Sequence, residues 1–247
     1  MERERPVAKQ RVNRIALARF EQWALPRMAR ALPAWVTPDT LTVVGLLAAV
    51  GIAVSYGLTR YSLDWLWLAS ALLVVHWWGD SLDGTLARVR RIQRERYGFY
   101  VDHQSDALSA LLFFGGLGLS PLMHPLIAAG LLVGYYLLMI LVSLVTIARD
   151  VFKISFAGVG PTEGRLLLIG ANTAVWALGN PTVMVAGAPL SLFDVLGLAG
   201  TAGMVGVYAV TSLIERSKLA KLDPPPQPRE EPPVPEPVLE DTGGRGT

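Results

Sequence analysis

Residues 71–106 read ALLVVHWWGDSLDGTLARVRRIQRERYGFYVDHQSD. An apolar helical run meets Asp80 and Asp83 near its end and passes into a connection carrying Arg88, Arg90, Arg91, Arg94 and Arg96. A second apolar segment follows, opened by Asp102 and Asp106. Residues three or four apart share a helix face, so Asp80 faces with Asp83 and Asp102 with Asp106. An Asp at the centre of a membrane helix costs ~2.5–3.5 kcal/mol. Four of them unpaired would cost on the order of 10 kcal/mol, less near the interface. The fold must bring them a compensating charge.

The rest of the chain agrees with a membrane setting. Charged residues are 17% of the 247, against about 25% in soluble domains, and the mean hydropathy is +0.40. That excludes a disordered chain, a fibrous repeat and an ordinary soluble domain. The absence of cysteine excludes disulfides, Cys-ligated zinc, iron–sulfur clusters and thiol catalysis. A pI near 9.0 does not point to nucleic acid, because the basic residues sit at the ends of apolar segments.

Six spans are expected, over Thr40–Leu58, Leu63–Leu86, Phe99–Leu119, Pro125–Ala148, Arg165–Leu178 and Leu192–Ile214; the fifth is short, and the others are near the length that crosses a hydrocarbon core. Thr37 or Asp39 caps the first, with Pro38 in its first turn. Residues 1–38 form an amphipathic juxtamembrane segment with no signal peptide. Within it, Arg11–Leu32 reads as an interfacial helix divided or kinked at Pro26; a helix packed on the protein itself is the other reading. Residues 39–215 form the six-helix domain, and 216–247 a cytoplasmic tail expected to be disordered, with its part 223–247 rich in Pro and acids. Of the 22 basic residues, only Arg60 falls outside the two terminal segments and the second-to-third and fourth-to-fifth connections. By the positive-inside rule those four segments, both termini included, are cytoplasmic. The expected location is the inner, cytoplasmic membrane of a cell, multi-pass, with the acidic site facing the cytoplasm.

Arginine could compensate the four carboxylates. Two divalent cations fit better, supplying +4 to a pocket of −4. Mg²⁺ prefers oxygen ligands and works with substrate phosphates, and two ions about 4 Å apart can clamp an in-line displacement at phosphorus. Helix caps and surface carboxylates are the plainer reading; it covers one Asp better than four. Gly84 and Ala87 remove bulk beside the acids, and Gly98 opens the third helix, where an anion is favoured.

The pattern DxxDGxxAR followed by GxxxDxxxD resembles the signature of the CDP-alcohol phosphotransferases. Asp80, Asp83, Gly84, Ala87, Arg88, Gly98, Asp102 and Asp106 match its fixed positions, with nine residues between Arg88 and Gly98. The resemblance extends over about residues 35–215. It implies an all-α integral membrane enzyme of six transmembrane helices, often a homodimer, that displaces CMP from a CDP-linked donor with divalent metal. It assigns metal binding, Mg²⁺ or Mn²⁺, to Asp80, Asp83, Asp102 and Asp106, with Asp106 also the general base. It assigns the CDP portion to Gly84, Ala87, Arg88 and Gly98, with Asp39 and Thr42. Asp39 departs from the Asn common at its position.

The motif leaves the acceptor open. Asp102-His103 looks more like the choline/ethanolamine branch than the Asp-Pro or Asp-Ser of other members; a helix-surface imidazole is the alternative for His103. Lys153, Glu163 and Arg165 in the fourth-to-fifth connection are candidate acceptor-binding residues or lipid anchors. His76, inside the second span, is read as a neutral histidine bonded within the bundle. The expected activity is transfer of a substituted phosphate to an alcohol hydroxyl in phospholipid biosynthesis. The donor is CDP-diacylglycerol with a small polar acceptor, or a CDP-amino-alcohol with a lipid acceptor. A carrier or channel using the Asp cluster as an ion site is the competing class, and an inactive scaffold a third.

Overall fold

The computed structural model describes residues 18–149, 161–185 and 187–225. It contains seven helices among them: α1 (Ala18–Ala31), α2 (Pro38–Leu58), α3 (Trp65–Arg90), α4 (Glu95–Gly118), α5 (Pro125–Arg149), α6 (Pro161–Leu178) and α7 (Leu192–Leu222). The sequence pattern explains their bounds. Thr37 Oγ1 accepts the Thr40 amide at 3.1 Å, with Pro38 at the start of α2, where its missing N–H costs nothing. Pro125 and Pro161 open α5 and α6 in the same way. Ser191 and Asp194 form a reciprocal capping box on α7.

α2, α5 and α7 are long and apolar enough to cross a membrane. α2 exposes Val43, Leu47, Val50 and Val54, a 4-3-4 spacing that makes one apolar stripe. α3, α4 and α6 coincide with three further expected spans but carry Asp80, Asp83, Asp102, Asp106, Glu163 and Arg165, which dilute their hydropathy. Successive helices alternate in direction, so the starts of α2, α4 and α6 meet the ends of α3, α5 and α7. The Thr42–Asp83 and Arg165–Asp80 contacts lie toward that end, and a Trp176–Asp64 hydrogen bond of 2.9 Å ties α6 to α3 at the other.

Close helix contact depends on small residues. A Cβ on Gly79 would stand 2.7 Å from Leu41 O, and one on Gly116 2.6 Å from Ala53 Cα; these two glycines let α3 and α4 press against α2. The core they allow holds Ile52, Tyr56, Leu66, Leu73, Phe113 and Leu117. α1 packs Leu25 and Ala29 against Leu82 and Leu86 of α3, while Phe20 and Trp23 remain exposed. Arg90 fastens the segment that follows, donating to the carbonyls of Leu32, Pro33, Ala34 and Val36.

Several boundaries differ from expectation. α1 runs from Ala18 through Pro26 as one helix, undivided; residues 11–17 of the expected amphipathic segment lie outside the described residues. α4 begins at Glu95, four residues before Phe99, because Glu95-Arg96-Tyr97 are competent helix formers with an acid in the first turn. α7 continues to Leu222, through residues 216–222 of the expected tail. The helices are accompanied by one short antiparallel hairpin, β1 (Thr182–Val185) and β2 (Ala188–Ser191), with Thr182 opposite Ser191 and Val185 opposite Ala188.

Candidate active site

One cavity of about 2400 Å³ is walled by the helix ends that meet at the acidic end of the bundle, and it reaches inward between α5, α6 and α7. All four predicted carboxylates line it. Each is half-buried. Asp83 lies within electrostatic reach of Asp80 and Asp102. Asp106 lies within reach of all three and of Arg165. The i, i+3 and i, i+4 spacings thus bring the acids together as expected.

Their present partners are protein groups. Arg165 Nη2 donates to Asp80 Oδ2 at 2.5 Å, and Arg165 is only 7% exposed. Thr42 Oγ1 donates to Asp83 Oδ2 at 2.7 Å, and the Gly84 amide to Asp83 Oδ1 at 2.5 Å. Among the described residues no three His, Asp or Glu side chains close on a point that would hold a metal ion. The donor set is all oxygen and strongly acidic, which fits a hard divalent cation. Each carboxylate has more lone pairs than these hydrogen bonds use, so Arg165 and Thr42 can stay in place beside a bound ion.

The other predicted residues fall into place unevenly. Asp39, Thr42, Gly84, Ala87, Arg88, Gly98 and His103 all line the cavity. Gly84 and Gly98 differ from the packing glycines: a Cβ on Gly84 would meet only Arg88 Nη1, at 3.4 Å, and one on Gly98 nothing within 4 Å. Bundle packing does not demand glycine at either position. Gly98 does not open its helix as expected. It lies in the first turn of α4, and its amide is already donated to Arg94 O at 2.7 Å. Arg88 Nη2 donates to Thr85 Oγ1 at 2.9 Å. The His103 Nδ1 lies 2.9 Å from Phe99 O of its own helix. Arg165 lines the cavity and Glu163 does not. Lys153 lies outside the described residues.

Three residues at the site carry no local sequence signal. Tyr97 donates to Asp39 Oδ2 at 3.2 Å and stacks beneath Arg94, whose guanidinium carbon is 3.8 Å from the ring centroid. Glu21 of α1 accepts from Trp77 Nε1 at 3.1 Å and from Thr162 Oγ1 at 2.7 Å, tying α1, α3 and α6 at the rim. Tyr135 of α5 lines the cavity where it becomes apolar, beside Leu131, Leu138 and Met139.

Fold and site together define a bundle of long apolar helices holding one acidic cavity at the helix ends. The chain belongs to the CDP-alcohol phosphatidyltransferase family, whose profile matches residues 35–206, a stretch that includes every site residue expected from the sequence but not Glu21. A phosphatidylinositol phosphate synthase from Cutibacterium acnes (strain DSM 16379 / KPA171202) is 33% identical over 88 residues, 36% of this chain and 40% of that protein. The alignment therefore spans less than half of that relative.

Proposed function

We propose that the protein transfers a phosphatidyl group from CDP-diacylglycerol to a hydroxyl of a small phosphorylated polyol, with release of CMP. The observation that carries this is the single cavity joining four carboxylates and Arg165 to an apolar recess between α5, α6 and α7. A lipid-linked donor has both chemistries. Its pyrophosphate needs cations and donors, and its acyl chains need an apolar wall. The name of the Cutibacterium relative supports an inositol-phosphate-like acceptor. The choline/ethanolamine likeness of Asp102-His103 is weaker support for the alternative, since His103 has its Nδ1 at its own backbone.

In this reading Gly84, Ala87, Arg88 and Gly98, with Asp39 and Thr42, form the wall for the cytidine nucleotide, where missing side chains let it approach the backbone. Arg165 has five donors, so its contact with Asp80 leaves others for the acceptor's phosphate, with Lys153 as a second cation. Asp106 takes the proton from the acceptor hydroxyl. The acceptor oxygen then bonds to the phosphorus that carries the diacylglycerol, and the bond from that phosphorus to CMP breaks. Thr42 holds Asp83 in register by its hydrogen bond. Two divalent ions, Mg²⁺ or Mn²⁺, held by Asp80, Asp83, Asp102 and Asp106, would supply Lewis-acid polarisation of the pyrophosphate and offset the leaving CMP's charge.

The reading extends to a six-span protein in the inner membrane with site and termini cytoplasmic, to α1 lying at the interface through Phe20 and Trp23, and to a homodimer. The test uses the full chain in nanodiscs with CDP-diacylglycerol, Mg²⁺ and a panel of acceptors including inositol phosphate, choline and glycerol phosphate. CMP release with a phosphorylated polyol, abolished by EDTA, is expected. Release with no acceptor in the panel, or undiminished release in EDTA, refutes it. In sealed liposomes a carrier would instead move ions across the bilayer without producing CMP.

A further inference from the structure

His76 stands one turn before Asp80 on α3 and is 3% exposed. Its Nε2 lies 2.9 Å from Ser109 Oγ on α4, and its ring packs edge-on to Phe113 with centroids 4.9 Å apart. Its Nδ1 is buried and meets no hydrogen-bond partner among the described residues. Buried polar atoms in folded proteins are paired almost without exception, with protein or with ordered water. A second cavity of about 10 Å³ adjoins the ring, close to the volume one water needs. Its polar walls are Thr42, His76, Asp80, Ser105 and Ser109. A void lined by apolar groups stays dry, whereas one with several polar partners does not.

Most of those walls are already engaged. Thr42 Oγ1 donates to Asp83, Ser105 Oγ to Asp102 O, and Ser109 Oγ pairs with His76 Nε2. The three hydroxyl oxygens keep acceptor lone pairs, but the buried atom left without any partner is His76 Nδ1, and Asp80 has a second oxygen that does not face Arg165. We propose that this cavity holds one structural water joining His76 Nδ1 to Asp80, which makes His76 a positioning residue for that carboxylate. A neutral imidazole carries one N–H and one lone pair, and water satisfies either. With Ser109 donating to Nε2, the Nδ1–H donates to the water and the water donates to Asp80. In the other tautomer the water donates to both. Outer groups that orient a ligating side chain typically change metal affinity 10–100-fold when removed, and this consequence for metal binding rests on the function proposed above.

Two measurements on the full chain in nanodiscs decide it. The first labels the three histidines with ¹⁵N, assigns His76 by substitution, and looks for cross-relaxation between the ring and a long-lived water. A cross-peak is expected, and its absence overturns the proposal whatever the protein's activity. The second titrates Mn²⁺ and reads free ion by electron paramagnetic resonance in two variants. Asn places its amide near the position of Nδ1, while Gln reaches toward Ser109 in place of Nε2. His76→Gln is expected to weaken Mn²⁺ binding about tenfold or more and His76→Asn by less than about threefold. Equal affinities, or the reverse order, overturn the positioning role. Wild-type protein that binds no Mn²⁺ refutes the metal reading of the site and, with it, the role of His76 in metal binding; the water itself is still decided by the cross-peak.

Discussion

Two glycines five residues apart on α3 separate packing from ligand binding. Alanine at Gly79 would bring Cβ to 2.7 Å from Leu41 O and 3.0 Å from Gly45 N, both backbone atoms. The helices would have to part by roughly 0.7 Å to restore ordinary contact, an overpacking that typically costs about 1–3 kcal/mol. The gain of ~0.5–1 kcal/mol from replacing glycine within a helix offsets part of this, leaving a net loss of about 1–2 kcal/mol. Alanine at Gly84 meets only the tip of Arg88, at 3.4 Å, so the same gain stands alone and the variant should be as stable as wild type or slightly more. Its methyl group would stand on the wall assigned to the nucleotide, where a tenfold rise in KM for the CDP-linked donor corresponds to about 1.4 kcal/mol. Thermal unfolding in detergent and CMP release at varied donor concentration read the two effects. A Gly84→Ala protein with unchanged KM and kcat would refute the nucleotide wall. A Gly84→Ala protein that melts below Gly79→Ala would refute the packing distinction.

Asp106→Asn should abolish CMP release while leaving elution and melting behaviour of the wild type; retained turnover would remove Asp106 from the base role. Arg165→Gln removes the buried partner of a half-buried Asp80 that lines the cavity; loss of one partner of a fully buried pair costs about 3–5 kcal/mol, so a smaller destabilisation is expected. A melting profile unchanged from wild type would show that Asp80 is solvated after all. Glu21→Ala deletes the acceptor shared by Trp77 and Thr162 and should cost about 1–3 kcal/mol. Thermal unfolding in detergent should then fall below that of wild type, and an unchanged melting temperature would count against the tie.

Much of the helix layout was legible because apolar runs end at residues with a clear local meaning. Pro38 and Pro125 open helices, and the expected ends at Leu58 and Leu178 coincide with those observed, whereas α6 begins at Pro161, four residues before the expected Arg165. The acidic site was legible for the same reason, since Asp80/Asp83 and Asp102/Asp106 need only helical periodicity to share a face. What stayed hidden depends on contacts between distant parts of the chain. Tyr97 meets Asp39 across 58 residues and Thr162 meets Glu21 across 141, and no local pattern announces either pairing. Arg165 could be named as a phosphate ligand, yet its contact with Asp80 depends on α6 lying against α3. The β1–β2 hairpin escaped because its strands are four residues each and largely exposed, so they show no inside–outside alternation. The start of α4 was misplaced because Gly98 reads as a helix opening, although it is one turn inside.

Arg90 sits on the same helix as Asp80 and Asp83, and its guanidinium collects the carbonyls of Leu32, Pro33, Ala34 and Val36. With Leu25 and Ala29 packed on Leu82 and Leu86, the N-terminal helix has no slack with which to swing away. If α1 lies at the membrane interface as proposed, a force that tilts it, such as a change in lateral pressure where Phe20 and Trp23 protrude, is delivered to the rod that bears two of the four acids. The proposed reaction centre and the leaflet around it would then be mechanically one system.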